Sequence, residues 1–351
     1  MRDALRPLRL GVLVPCRDEE RVLPRKLANL AQAEWPASDP DRPHRVAVVD
    51  DGSRDATLDA ARAAAERFGA GVEACAVRND GTPGKAGAIG AGLAALGDVD
   101  LVVLTDADVV VRPDALTALA AAFSAEPELA MACGAQEFVR DLAEDGTCRA
   151  EGGGEPVPAG GLYDRWTAGV RALESRLGRV FSVHGQLLAW RAELGLRPTP
   201  GVAADDIELM LQARRAGGRV RLVPRARFLE VKTPAGAARD GQAMRRARAY
   251  FQVLRRSGAP RAGLLDRAQW WCYRTLPGLA PWLLLAVALA LPLALGLLGG
   301  TPWLVAGAAA VAAVLLAPVG RRLVWLLDVI VRAWWRERRE PLSDRWEMER
   351  T

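Results

Sequence analysis

Three acidic pairs in the sequence are spaced so that they could handle a cation or a proton. Asp106 and Asp108 close a run of branched apolar residues, LVVLTDADVVV from Leu101 to Val111. At i and i+2 of an extended segment both carboxylates lean to one side while Ala107 points away, so the pair can share a divalent cation. Asp50-Asp51-Gly52-Ser53 follows a second apolar run. A carboxylate there can accept from a base N–H or a ribose hydroxyl, and the plainer alternative is a turn with a helix cap. Asp205-Asp206 opens the helical pattern DDIELMLQARR. Either the acids favour the first turn through the helix dipole, or one of them is a general base for an acceptor hydroxyl.

Two further segments could serve the same crevice. NDGTPGKAGAIGAG, from Asn79 to Gly92, offers glycines for close backbone approach and Lys85 as a cation at a helix start, a plausible neighbour for a diphosphate. His184-Gly185 interrupts an apolar run and marks close approach of a ligand, against the commoner structural role of a lone histidine.

The elements that must position these groups read as alternating strands and helices. Strands are expected at Leu10 to Val14, Arg45 to Val49, Val72 to Val77, the Asp106 segment, Ala130 to Gly134, Val180 to Trp190 and Arg219 to Val223. Helices are expected from Cys16-Arg17-Asp18-Glu19-Glu20 through Leu30, and at Thr57 to Phe68, Ala115 to Phe123, Tyr163 to Leu177 and from Asp205 to Gly217-Gly218. Asp141 to Gly161, with three consecutive glycines, reads as a mobile loop. In open α/β sheets ligands lie beyond the carboxyl ends of the strands, where the first two acidic pairs fall.

The C-terminal part is built differently. No charged residue occurs from Thr275 to Gly320, whereas arginines crowd 239 to 274 and the tail after Gly320. Leu276 to Leu298 and Trp303 to Val319, joined by Gly299-Gly300-Thr301-Pro302, read as a transmembrane helical hairpin, and the flanking arginines place both ends in the cytoplasm. Arg239 to Arg256 is a basic helix, and Leu323 to Trp335 an amphipathic one, each suited to the membrane surface. The expected organisation is 1–235 catalytic, 236–275 interfacial, 276–320 hairpin and 321–351 a basic, Trp-rich cytoplasmic tail, in a multi-pass protein of the inner membrane.

Several classes are excluded. The net charge of +5 is concentrated beside the apolar segment and lacks interleaved aromatics, which argues against nucleic acid. The five cysteines are scattered without a C-x-x-C pair, as in a reduced cytosolic domain without structural zinc. The amino terminus reads as a first strand rather than a signal peptide. Neither a P-loop nor a G-x-G-x-x-G fingerprint is spelled out, against a kinase or a dehydrogenase.

Taken together, six segments in order resemble glycosyltransferase family 2, whose catalytic domains have the GT-A fold. They are VPCRDEE (14–20), VVDDGSRDAT (48–57), GKAGAIGAGL (84–93), TDADVVVRPDAL (105–116), ADDIELMLQARRAGGRV (204–220) and QAMRR (242–246). The resemblance implies a mostly parallel sheet with helices on both faces. It implies that Pro15, Cys16 and Glu19 line the nucleotide site, with Asp51 reading the base and Asp50 beside it. Asp106 would contact the ribose or diphosphate side, and Asp108 would hold Mg²⁺ or Mn²⁺ on the diphosphate, the two forming the metal pair. Lys85, Gln242, Arg245 and Arg246 fall on the donor side, Asp206 is the catalytic base, and Asp205, His184 and Gly185 are acceptor-side candidates. The donor implied is a nucleoside-diphosphate sugar, UDP-linked more commonly in this family than GDP-linked.

Two departures bear on the product. Processive members carry Q-x-x-R-W, and here Gln242 and Arg245 are followed by Arg246; they also build a channel from several membrane helices, and this chain offers one hairpin. A single inverting transfer to a hydroxyl or phosphate of a lipid, polyprenyl-phosphate or glycan acceptor at the cytoplasmic face is therefore expected before a polysaccharide synthase. A non-catalytic nucleotide-sugar-binding scaffold would predict a damaged acidic set, and the set is intact.

Overall fold

The computed structural model describes residues 7–69, 71–148, 157, 162–232, 236–259 and 263–340. The chain forms two compact units, the first reaching from the amino terminus to Thr233 and the second comprising Pro234–Ala259 and Gly263–Leu342.

In the first unit the strands are β1 (Leu10–Cys16), β2 (His44–Asp50), β3 (Val72–Arg78), β4 (Leu101–Thr105), β5 (Val110–Val111), β6 (Leu129–Val139), β7 (Leu187–Arg191) and β8 (Arg219–Val231). The helices are α1 (Leu23–Gln32), α2 (Thr57–Ala65), α3 (Lys85–Leu96), α4 (Ala115–Ala125), α5 (Leu162–Arg176) and α6 (Asp205–Arg215). The strands form one eight-stranded sheet in the order β3-β2-β1-β4-β7-β6-β8-β5. The run β3-β2-β1-β4 is parallel. β7 is inserted antiparallel between β4 and β6, while β6 and β8 run parallel to each other.

Alternation along the buried strands divides the core. Leu10, Val12 and Val14 of β1 join Leu23, Leu27 and Leu30 of α1, Ala61 and Ala64 of α2, and Leu116, Leu119 and Phe123 of α4 in one apolar layer. Leu13 and Val49 point the other way, against α3 at Gly92. Helices therefore cover both faces of this part of the sheet, and the carboxyl ends of β1, β2 and β4 open on one edge.

Three expectations are corrected here. The apolar run Val180 to Trp190 is a strand only from Leu187, because the chain turns at His184, with Leu187 N–H donating to His184 O, before it pairs with β4. β6 and β8 are longer than Ala130 to Gly134 and Arg219 to Val223, since their pairing continues to Val139 and Val231 past a register shift at Gly134. The first helix begins at Leu23 rather than at Cys16, because residues 17–20 are held in a loop by the neighbouring turn. Most of the expected loop from Asp141 to Gly161, and the tail beyond residue 340, lie outside the described residues.

The second unit is helical: α7 (Ala237–Arg256), α8 (Leu264–Gly299), α9 (Thr301–Leu316) and α10 (Pro318–Arg339). α8 continues the expected span back to Leu264, and by length and composition it is the one helix among the described residues able to cross a membrane alone. α9 and α10 meet at a 77° bend. Val329, Ala333 and Glu337 make a buried stripe on α10 at helical spacing. The Glu337 carboxylate is ion-paired to Arg255 (3.4 Å) and Arg248 (3.9 Å) of α7, which fastens the two helices together. Trp282, Leu285, Val287 and Leu289 of α8 are exposed, an apolar surface that water disfavours.

Candidate active site

The turns after β1 and β2 are built as one piece. Asp18 N–H donates to Ser53 Oγ (2.9 Å) and Glu19 N–H to Thr57 Oγ1 (2.7 Å). In return Arg54 N–H donates to Asp18 Oδ1 (2.8 Å) and Ala56 N–H to Glu20 Oε2 (3.0 Å). These bonds hold Asp18 in the left-handed region, at φ 52°. Glu19 is buried beneath this lacing. Pro15 and Cys16 are buried in β1, with Cys16 Sγ–H directed to Val49 O at 3.3 Å. Burial, reinforced by the charges of Glu19 and Asp50, pushes the Cys16 thiol far above its usual range, so it stays protonated.

Asp50 and Asp51 face different work. Asp50 accepts from the Ser53 N–H at 3.2 Å and closes its own turn. Asp51 accepts from Asn79 Nδ2 (2.6 Å) and from the Gly84 N–H (2.8 Å), with Arg17 at 3.7 Å. Gly84 sits at φ 115°, a conformation that favours glycine, and it starts α3 so that Lys85 follows at its first turn. The phosphate-side helix is thus docked onto the acidic turn of β2.

Lys85 then joins the other two acidic pairs. Its Nζ lies 2.8 Å from Asp106 Oδ1 and 3.6 Å from Asp205 Oδ2. Against the cost of burial, these carboxylates and Asp206 hold the Lys85 ammonium well above its ordinary pKa, so it is a fixed cation. Asp106 is half-buried and Asp108 exposed, while Ala107 between them is buried; the expected extended segment is broken here, since β4 ends at Thr105 and residues 107–108 form a turn before β5. Asp106 and Asp108 are the carboxylates that would hold a Mg²⁺ or Mn²⁺ ion, a hard cation that takes oxygen ligands. No group of three or more His, Cys, Asp or Glu able to hold a metal occurs among the described residues.

Asp206 is half-buried on the first turn of α6 and accepts from the Ile207 N–H at 2.8 Å. Burial, then the neighbouring charge of Asp205, pushes its carboxyl up to about 6. Asp205 is raised as well, chiefly by burial. Such a group is ionised near neutrality and still basic enough to take a proton. Gly185 packs directly on it: a Cβ there would lie 3.1 Å from Asp206 Cβ and 3.3 Å from Oδ2. His184 next door has its Nδ1 2.8 Å from Gly134 O and its ring edge-on to Phe228.

The first unit therefore brings together Asp51, Lys85, Asp106, Asp205, Asp206 and Gly185 in a connected series of contacts. Gln242, Arg245 and Arg246 lie on α7, in the second unit. Asn79, Arg17, Thr105, Gln186 and Lys26 carry no chemistry that their place in the sequence announces, yet each holds one of these groups or a neighbour of one. Asn79 could have been found, since it opens the glycine-rich segment and its type suits a turn.

Comparison with known proteins assigns the family and the fold. The model of the family described as "Glycosyltransferase like family 2" matches residues 7–249. The chain belongs to this family. As a family 2 glycosyltransferase of GT-A type it acts on nucleotide sugars. No curated protein matches its sequence. Among solved structures, the mannosyltransferase PcManGT from Pyrobaculum calidifontis, in complex with GDP-Man and Mn²⁺, is similar with a TM-score of 0.70 at 24% identity, over 95% of this chain and 88% of that one. S. aureus TarS 1-349 in complex with UDP-GlcNAc is similar with a TM-score of 0.51 at 16% identity, over 95% and 92%. At these identities the likeness concerns the fold.

Proposed function

We propose that this glycosyltransferase carries out a single inverting transfer from a UDP- or GDP-linked sugar to a hydroxyl or phosphate of a lipid or polyprenyl-phosphate acceptor at the cytoplasmic membrane face. The observation that carries the reading is Lys85, held 2.8 Å from Asp106 and 3.6 Å from Asp205, which ties the cation pair to the helix start bearing Asp206. A donor diphosphate seated against Asp106 and Asp108 would exchange one of these carboxylate contacts of Lys85 for a phosphate oxygen. A Mg²⁺ or Mn²⁺ ion there would neutralise charge developing on the leaving diphosphate. Asp206 takes the proton from the acceptor hydroxyl as that oxygen attacks the anomeric carbon, while the bond to the diphosphate breaks on the opposite side. Inversion follows from one displacement, and no enzyme nucleophile is required. An acceptor phosphate is already ionised, and Asp206 would then orient it rather than deprotonate it.

The acceptor class rests on the second unit. α8 is long and apolar enough to span a bilayer, and Arg274, Arg338 and Arg339 lie over the rings of Trp270, Trp334 and Trp335, an amphipathic pairing suited to a headgroup region. We assign the α8–α9 hairpin as the multi-pass anchor, with the catalytic unit on the cytoplasmic side.

A donor screen on detergent-purified protein tests the proposal. UDP- and GDP-sugars are supplied with Mn²⁺ or Mg²⁺ and a bacterial lipid extract, and nucleoside diphosphate release and product mass are followed. A lipid gaining one sugar, lost with EDTA, is the expected result. A ladder of long products would replace the single transfer by polymerisation, and no release from any donor would sink the transferase reading.

A further inference from the structure

Lys26 is fully buried on α1, and its polar end is spent on hydrogen bonds. Its Nζ donates to Thr105 Oγ1 (2.7 Å) and to Val109 O (3.1 Å). These two acceptors flank Asp106 and Asp108 on either side. Thr105 Oγ1 donates onward to Gln186 O (2.9 Å), and Gln186 follows Gly185, the residue packed on Asp206. Gln186 Nε2 is itself held by Glu230 Oε2 at 3.2 Å. One turn along α1, Asn29 clasps the same segment farther on, accepting from Val111 N–H (2.8 Å) and donating to Val111 O (2.9 Å).

We infer that Lys26 is a positioning residue: it clamps both ends of the Asp106–Asp108 loop and, through Thr105 and Gln186, fixes that loop relative to the wall behind Asp206. The inference rests on the proposed cation and base roles of those aspartates. A buried amine is costly to keep, and a methionine of similar length would fill the space without that cost. What the amine adds is two directed N–H donors where the loop leaves and rejoins the sheet. A cation shared by two carboxylates responds steeply to their separation, so a loop free to shift by a fraction of an ångström would bind it less well. Burial pushes the Lys26 ammonium down to about 7 despite the pull of Asp106 and Asp108, in keeping with a group that positions rather than neutralises them.

The test uses the full chain in detergent, with calorimetric titration of Mn²⁺ in the presence of UDP or GDP, and thermal melting without metal. For Lys26→Met the Mn²⁺ midpoint is expected to rise about tenfold or more, as for other residues behind a metal ligand, with the melting temperature unchanged or higher. Thr105→Val should reproduce the loss, and the double variant should add little to either, because both break one connection. Asn29→Ala, which acts on the strand beyond the loop, should lower the melting temperature and leave the Mn²⁺ midpoint in place. Unchanged Mn²⁺ midpoints in Lys26→Met and Thr105→Val would overturn the inference, as would a lower melting temperature with normal metal binding. If Lys26→Met does not fold, Thr105→Val decides. Wild-type protein that binds neither nucleotide with Mn²⁺ would instead overturn the reading of the site itself.

Discussion

The acidic turn after β2 and the acidic start of α6 hold carboxylates of the same kind in different surroundings. Asp51 has its oxygens engaged by Asn79 and by the Gly84 N–H, with Arg17 close by. Asp206 sits behind Asp205 with the N–H of its own helix at 2.8 Å, and burial and like charge push its carboxyl up to about 6. The first carboxylate is built into the scaffold that docks α3, while the second is the one proposed to take a proton. Residue type alone does not separate the two; their surroundings do.

Removing the divalent cation should have the largest effect. EDTA is expected to abolish turnover, and Asp108→Ala to abolish metal-dependent donor binding in a calorimetric titration, with the melting temperature little changed because Asp108 is exposed. Asp51→Asn comes next. An amide can accept from Asn79 or from Gly84 but presents N–H to the other, so a loss of about 1–3 kcal/mol in stability is expected, measured by denaturant unfolding, together with weaker donor binding. A variant as stable as wild type would show that Asp51 does not anchor α3.

The pH profile sharpens the contrast. A base must be ionised to act, so kcat/KM should fall as pH drops through about 6, the position of Asp206. Asp205→Asn removes the neighbouring negative charge that raises Asp206, so this acid limb should move to lower pH. Lys85→Met removes a cation that lowers it, so the limb should move to higher pH, with weakened donor binding besides. The smallest effect is expected in the second unit. Glu337→Gln should loosen α10 from α7, lowering the melting temperature by a few degrees without altering soluble-donor binding.

The parallel part of the sheet and the position of each acidic pair were legible because each is local: an apolar run, a turn, a helix start. The direction of β7 was not, since periodicity gives the face of a strand and says nothing of its sense, and the apolar run at Val180 is joined to β8 by an isolated bridge, with Val180 N–H donating to Val220 O (3.1 Å), rather than as a strand. Lys26 was illegible for a different reason. A lysine among the polar positions of a first helix reads as solvated, and only the chain path that lays α1 under Thr105 and Val109, 79 and 83 residues away, turns it inward. The clasp between residues 18–20 and 53–57 is likewise a contact between turns, invisible until β1 and β2 are paired. Burial of Glu337 depends in the same way on α10 lying along α7.

Asp206 is the proposed base of a sugar transfer whose donor is held elsewhere in the crevice. Asp206→Asn, assayed for turnover and for donor binding on the same preparation, tests it most directly. A loss of about 10²–10⁴-fold in kcat with donor affinity essentially retained is expected. Near-normal turnover in Asp206→Asn would contradict it.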